Sequence, residues 1–336
     1  MTELFPFGQP APVPPACRRP TAPVGSWRLL GTDEAVLDLP LLRPRSPAIQ
    51  LLPSLSIATN RDHTFRFSAR AGDDAMWTFA SPVGTLPPTS LDDRVPEGSP
   101  TGDPNLSCDI DVFRAKQPIR EVGVRVWLRA RERSAVLAAP ILLTVSLSDD
   151  LTEADNPLAE MVDRVALSVP ALSQMEAPEG IRMRICSPTC VAMVLAYWGR
   201  GVDLVDLAAE MRDARQDLYG IWPAAILAAA RREVHGYLLR FPSWGDAEWC
   251  LRRRVPVIAS IRYRAGELEG AAVEATSGHL VVLTGINGAN VLVNDPAAPS
   301  RREVPRAYAL KDLRRVWLEQ GGIGYVLFPP ALVASG

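Results

Sequence analysis

The chain is short of lysine, of histidine and of long apolar runs, and each shortage narrows what it can be. Of its 36 basic residues only Lys116 and Lys311 are lysines. The arginines are scattered among 38 acidic residues and the net charge is −2, so no basic footprint for a nucleic acid is present. No apolar run approaches the roughly 20 residues of a membrane helix; the longest candidate, residues 221–230, contains Pro223. The first residues lack the basic start and apolar core of a secretory signal. Five cysteines without regular spacing argue against a disulfide framework and favour a reducing compartment. No His or Cys pair has zinc-like spacing backed by a second pair, so neither a metal nor a cofactor is expected. These readings point to a cytoplasmic protein with no nucleic-acid and no membrane partner.

With 336 residues, 47% of them hydrophobic, the chain has length and core for about two domains. Residues 1–25 contain seven prolines and read as a disordered arm. Residues 26–150 have a β texture. Apolar, branched and aromatic runs at 48–57, 63–69, 77–80, 108–113, 121–130 and 141–147 are separated by turn residues, which is the pattern of an antiparallel β-sandwich. Within the run 121–130, Val124, Val126 and Leu128 alternate with Arg125, Trp127 and Arg129, as in a strand with one buried face. Residues 81–105 read as a long surface loop. Such sandwiches bind carbohydrate or protein ligands, or serve as a scaffold. An acidic, polar stretch marks a linker over 151–168. Residues 169–336 then read as helices followed by strands, so the fold class is α+β.

The stretch RICSPTCVAMVLAYWGR, residues 184–200, organises the second half. Ser187 reads as an N-cap, Pro188 as the first helical residue and Gly199 as the stop. Cys186 therefore lies at a helix N-terminus, where the partial positive charge favours thiolate. Of the three histidines, His63 reads as a surface residue and His235 as a helix end. His279, in TSGHLVVLTGI, opens a buried strand. A second strand follows and ends in Asn294-Asp295-Pro296. A helix-borne thiol, a strand-borne base and a carboxylate to orient it make the nucleophile–base–orienter set Cys186, His279, Asp295. Taken alone, Cys186 would more often be a buried structural cysteine. Cys190, one turn further on, reads as a small core residue or as a resolving thiol.

Cys186-Ser187-Pro188, Tyr197-Trp198-Gly199, Gly278-His279 and Asp295-Pro296 occur in the order seen in papain-like cysteine peptidases of the bacteriocin-processing type, which cut leader peptides after a double glycine. Residues 169–329 resemble the soluble, stand-alone relatives of that group. The sequence departs from the pattern by carrying Ser187 where glycine is usual. The resemblance implies a papain-like domain, with a helical lobe bearing the thiol set against an antiparallel sheet bearing the base. It implies a peptide or protein substrate, a thioester intermediate, and a glutamine whose side-chain N–H helps hold the oxyanion; Gln174 matches that position. Two other functions stay open on the residues alone: a peptide-binding module without turnover, and a thiol-based acyl-transfer or redox protein built on Cys186 and Cys190.

Overall fold

The computed structural model describes residues 1–73, 75–86, 102–149 and 164–334. Most of the loop expected at 81–105, and of the linker expected at 151–168, lies outside the described residues. In the N-terminal half the strands are β1 (Thr2–Gly8), β2 (Arg28–Leu30), β3 (Glu34–Asp38), β4 (Ala48–Ile57), β5 (His63–Ala71), β6 (Thr78–Phe79), β7 (Val83–Gly84), β8 (Leu106–Asp109), β9 (Val112–Ile119), β10 (Val122–Ala130) and β11 (Ile141–Ser148), with a short helix α1 (Arg133–Ala138) before β11. They form two antiparallel sheets, ordered β1-β11-β4-β9-β8 and β2-β3-β10-β5-β6, with β7 paired to β5. One buried cluster draws on both: Leu51, Leu55, Leu143 and Val145 from the first, Phe65, Phe67, Val124, Val126 and Leu128 from the second. The alternation read in residues 121–130 decides which side chains enter it. Val124, Val126 and Leu128 are buried, while Arg125, Trp127 and Arg129 stay half-exposed.

Residues 1–25 depart from the expected disordered arm. Residues 2–8 form an edge strand paired to β11, with Phe5 opposite Val145. The prolines hid it, yet an edge strand tolerates proline because one side of its backbone needs no ladder partner. Here even that outer side is used: Pro6 O accepts from Ala22 N at 3.0 Å, and Leu4 N donates to Cys17 O at 2.7 Å. The run at 108–113, expected as one strand, is a hairpin. It turns at Ile110, whose φ of 58° lies in the left-handed region.

The C-terminal half contains β12 (Val165–Ala166), α2 (Cys186–Tyr197), α3 (Leu204–Met211), α4 (Trp222–Ala230), β13 (His235–Arg240), α5 (Trp244–Arg252), β14 (Val257–Tyr263), β15 (Thr276–Asn287), β16 (Asn290–Asn294), β17 (Pro305–Ala309), α6 (Leu310–Leu313), β18 (Ile323–Phe328) and α7 (Ala331–Ala334). Its antiparallel sheet runs β13-β18-β14-β15-β16-β17, with β12 on β15. β12 crosses so close to β15 that a Cβ on Gly285 would stand 2.1 Å from Val165 O. Local signals set several ends. Asp203 caps α3 by accepting from Val205 N and Asp206 N, satisfying donors that have no partner within the helix. His235 is not a helix end but the first residue of β13. The chain turns into β13 through Glu233, at φ 60°.

The two halves share a packed seam. Leu4, Val13, Cys17, Leu52, Val112 and Leu142 belong to the same buried cluster as the C-terminal core. Helix α4 has no side-chain cap of its own, and Asp111 of the other half supplies one, its Oδ2 accepting from Trp222 N at 2.9 Å. Tyr237 OH donates to Pro12 O at 2.6 Å, and Ser56 Oγ lies 2.9 Å from His235 Nδ1. His63, expected on the surface, is fully buried, with Nδ1 2.9 Å from Arg61 O.

Candidate active site

Helix α2 is buried along most of its length, from Ser187 to Leu195, so its position is fixed by packing rather than by its caps. Its C-terminus closes as expected from Gly199, whose φ is 73°. Arg200 N donates to Leu195 O at 2.8 Å and Gly199 N to Ala196 O at 3.0 Å, the paired bonds of a glycine-stopped helix. The Trp198 indole N–H donates to Leu327 O at 2.9 Å and ties this end to β18. The N-terminus differs from expectation. The helix begins at Cys186, with Ile185 as an N-cap that makes no side-chain bond. Ser187 lies inside the first turn, is buried, and its Oγ sits 3.4 Å from Tyr325 OH. Pro188 fits beside it because N–H groups of the first turn have no partner within the helix.

β15 brings His279 to this helix end. The antiparallel register pairs Val282 with Asn294, so Asp295 lies one step beyond that pair, at the end of the sheet that holds His279. His279 Nε2 is 2.8 Å from Asp295 Oδ1. The same ring lies near enough to the Cys186 side chain to interact with it electrostatically. Since Nε2 faces Asp295, Nδ1 is the nitrogen left for the sulfur. The three residues expected to act together therefore lie together, the imidazole bonded to the carboxylate and near the thiol. His279 is 5% exposed and Asp295 0%.

The electrostatics of this chain of contacts follow from burial set against partners. Burial alone would raise the Cys186 thiol. His279, with the backbone N–H groups of Leu280 and Ser187, outweighs it and holds the thiol below its ordinary value. Burial alone would lower His279, but Asp295 and Cys186 push it up to about 10. Asp295, which burial would raise, is held below the usual carboxylate range by His279, Tyr308 and the Ala297 N–H. All three shifts favour a thiolate beside an imidazolium. Cys190 is the contrast. Burial, then the nearby Cys186 and Asp295, raise it well above its ordinary value, and its Sγ donates to Leu280 O at 3.3 Å.

Gln174 lies on a short 3-10 turn, Gln174–Glu176, and is 4% exposed. Its backbone N donates to Pro296 O at 2.9 Å, which anchors it beside the Asp295 loop. Its Nε2 donates to Arg182 O at 2.7 Å, and its Oε1 is buried without a partner. Asn294 Nδ2 reaches across to Val169 O at 3.1 Å and binds the segment leading to Gln174 onto β16.

Sequence reasoning missed Tyr308, on β17. Its OH donates to Asp295 Oδ2 at 2.6 Å and it is fully buried. A single tyrosine between two alanines carries no motif, and the strand that holds it begins with Pro305. Among the described residues, no group of three or more His, Cys, Asp or Glu side chains is arranged to hold a metal ion, and no helix is long and apolar enough to cross a membrane.

No curated protein matches the chain. Seven chains of solved structures match it, two of which follow. One is a double glycine motif protease from an AMS/PCAT transporter in complex with the leader peptide, 21% identical, covering 50% of this chain and 99% of the other, with a TM-score of 0.35. The other is described as a C39-like peptidase from Bacillus anthracis, 20% identical, covering 49% of this chain and 98% of the other, with a TM-score of 0.39. Residues 166–325, the stretch that carries Cys186, His279 and Asp295, match the model of the Peptidase_C39 like family.

Proposed function

We propose that this protein is a cysteine peptidase in which Cys186 is the nucleophile, His279 the base and Asp295 the residue that orients it. One observation carries the reading: a buried imidazole bonded through Nε2 to a buried carboxylate at 2.8 Å, near a cysteine at a helix N-terminus. The match of residues 166–325 to a peptidase family supports it independently of that geometry.

The chemistry follows from these roles. The Cys186 proton rests on His279 Nδ1, leaving thiolate beside imidazolium. The sulfur attacks the carbonyl carbon of a substrate amide. Negative charge gathers on the carbonyl oxygen, where the backbone N–H groups at the start of α2 can receive it. Gln174 serves there too: one Nε2 hydrogen goes to Arg182 O, and the second is the donor proposed for the oxyanion. Collapse of the tetrahedral adduct breaks the C–N bond. His279 gives its proton to the leaving amine, and the acyl group stays on sulfur as a thioester. Water, deprotonated by His279, then releases the acid and restores the thiol; an amine in place of water would give transpeptidation. The substrate is a peptide or protein segment, and the cleavage site after a double glycine is the first to test.

The N-terminal sheets are proposed as a β-sandwich domain acting as scaffold. Support comes from the seam, where Asp111 caps α4 and residues 4–17 complete the core under β13. The thiol-exchange alternative is not favoured, because Cys190 is buried and held as the thiol. The test is digestion of a diverse peptide library, with products read by mass spectrometry. Cleavage by the wild type that is lost in Cys186→Ala is expected. Cleavage retained by Cys186→Ala, or peptide retention without cleavage by the wild type, would overturn the peptidase reading.

A further inference from the structure

Asp295 is a carboxylate with no exposure to water, and each of its oxygens must find donors inside the protein. Oδ1 has two: His279 Nε2 at 2.8 Å and Ala297 N at 3.0 Å. Oδ2 is met by the Tyr308 hydroxyl at 2.6 Å. Tyr308 is itself held without slack. It is fully buried, and β17 pairs it opposite Val291 on β16, the strand that ends beside Asp295. A second buried tyrosine, Tyr263 on β14, is close enough to feel the charge of Asp295. Its hydroxyl instead donates to Val273 O at 3.1 Å. Two tyrosines thus stand near one carboxylate and only Tyr308 is bonded to it.

We infer that Tyr308 is a positioning residue of the site: its hydroxyl fixes the plane of the Asp295 carboxylate so that Oδ1 meets His279 Nε2, and through His279 it keeps the Cys186 sulfur ionised. The inference rests on the peptidase reading above. Without the hydroxyl, Oδ2 would be a dry, unpartnered carboxylate oxygen. Such a group either takes up a proton or rotates to find another donor. In both cases the imidazolium loses part of its counter-charge and orientation, and the thiolate loses the partner that stabilises it. The tyrosine would itself never give up its proton, because burial and then the charge of Asp295 raise its pKa strongly. It acts as a fixed donor.

The experiment is the rate of Cys186 alkylation by iodoacetamide across pH, followed by mass spectrometry on the intact chain, in wild type, Tyr308→Phe, Tyr263→Phe and His279→Ala. Tyr308→Phe keeps the ring, and circular dichroism with a thermal melt verifies the fold. The midpoint of Cys186 ionisation is expected to rise by about one pH unit in Tyr308→Phe. Turnover of any peptide found to be cleaved should fall about tenfold or more at unchanged KM. Tyr263→Phe, which removes a hydroxyl not bonded to Asp295, leaves the midpoint in place. A midpoint unchanged in Tyr308→Phe but raised in His279→Ala overturns this inference and leaves the peptidase reading standing. A midpoint unchanged in His279→Ala overturns both. Equal shifts in the two tyrosine variants would reduce Tyr308 to packing and also overturn the inference.

Discussion

His279 and His235 are both buried, at 5% and 1% exposure, and they are opposite bases. His279 faces Asp295 and Cys186, and its pKa is pushed up to about 10. His235 lies in the seam between the halves, where its partner is the Ser56 hydroxyl, and burial pulls it down to about 4. Cys186 and Cys190 repeat the lesson one helical turn apart: the first, near His279, is lowered, and the second, bonded to a carbonyl, is raised. Burial alone makes a titratable group inert. It becomes reactive when a charged partner is buried with it and both are hydrogen-bonded. The molecule couples a buried imidazole to a buried carboxylate at the β15–β16 end of the sheet, and gives the imidazole buried in the seam only a hydroxyl partner.

The comparison breaks most clearly by removing the partners at the site. Cys186→Ala and His279→Ala are each expected to lower kcat/KM by at least about 10³-fold, and combining them should cost little more, because the pair acts as one unit. Asp295→Asn should cost about 100-fold or more, since it keeps the shape but favours the wrong tautomer; comparison of single-turnover rates measures it. In the wild type the pH–rate profile should rise as Cys186 ionises below its ordinary value and fall as His279 deprotonates near pH 10.

The seam sharpens the same comparison through stability. The folded-state pKa of His235 lies below its ordinary value of 6.5. As pH falls, the unfolded chain therefore binds this proton first. The contribution of His235 to stability is complete above about pH 6.5 and lost progressively down to about pH 4, at a cost of at most about 3 kcal/mol. Urea unfolding at a series of pH values checks this: His235→Gln should show a shallower loss between those limits than the wild type. The smallest effect belongs to Cys190→Ala. It removes one small buried group, so activity should stay within about threefold and stability should drop by about 1 kcal/mol. A larger loss of activity would return Cys190 to the chemistry.

Much of the arrangement was legible in the sequence where the signal is local. The run 48–57 is the strand β4, the alternation at 121–130 fixes the buried face of β10, and Gly199 ends α2. Cys186, His279 and Asp295 could be singled out because Pro188, Gly278 and Pro296 mark the chain close to each. What lay hidden depends on contacts distant in sequence. Residues 2–8 become a strand only because β11 offers an edge that tolerates Pro6. His235 is buried where Ser56 of the other half meets it, and His63 is buried with its Nδ1 against Arg61 O. Ser187 spends its hydroxyl on Tyr325, 138 residues away, rather than on a helix cap. Tyr308 reaches Asp295 only through the pairing of β16 with β17.

The role proposed for His279 and Asp295 is to hold Cys186 as a thiolate. The most direct measurement is pH-resolved iodoacetamide labelling of all five cysteines in the wild type and in His279→Ala. Cys186 is expected to label rapidly well below the ~8.5 pKa of a free thiol and to lose that advantage without His279. Cys17 and Cys108, whose thiols are raised, should stay slow in both proteins. Labelling of Cys186 at the pace of Cys108, with no change in His279→Ala, would contradict the account.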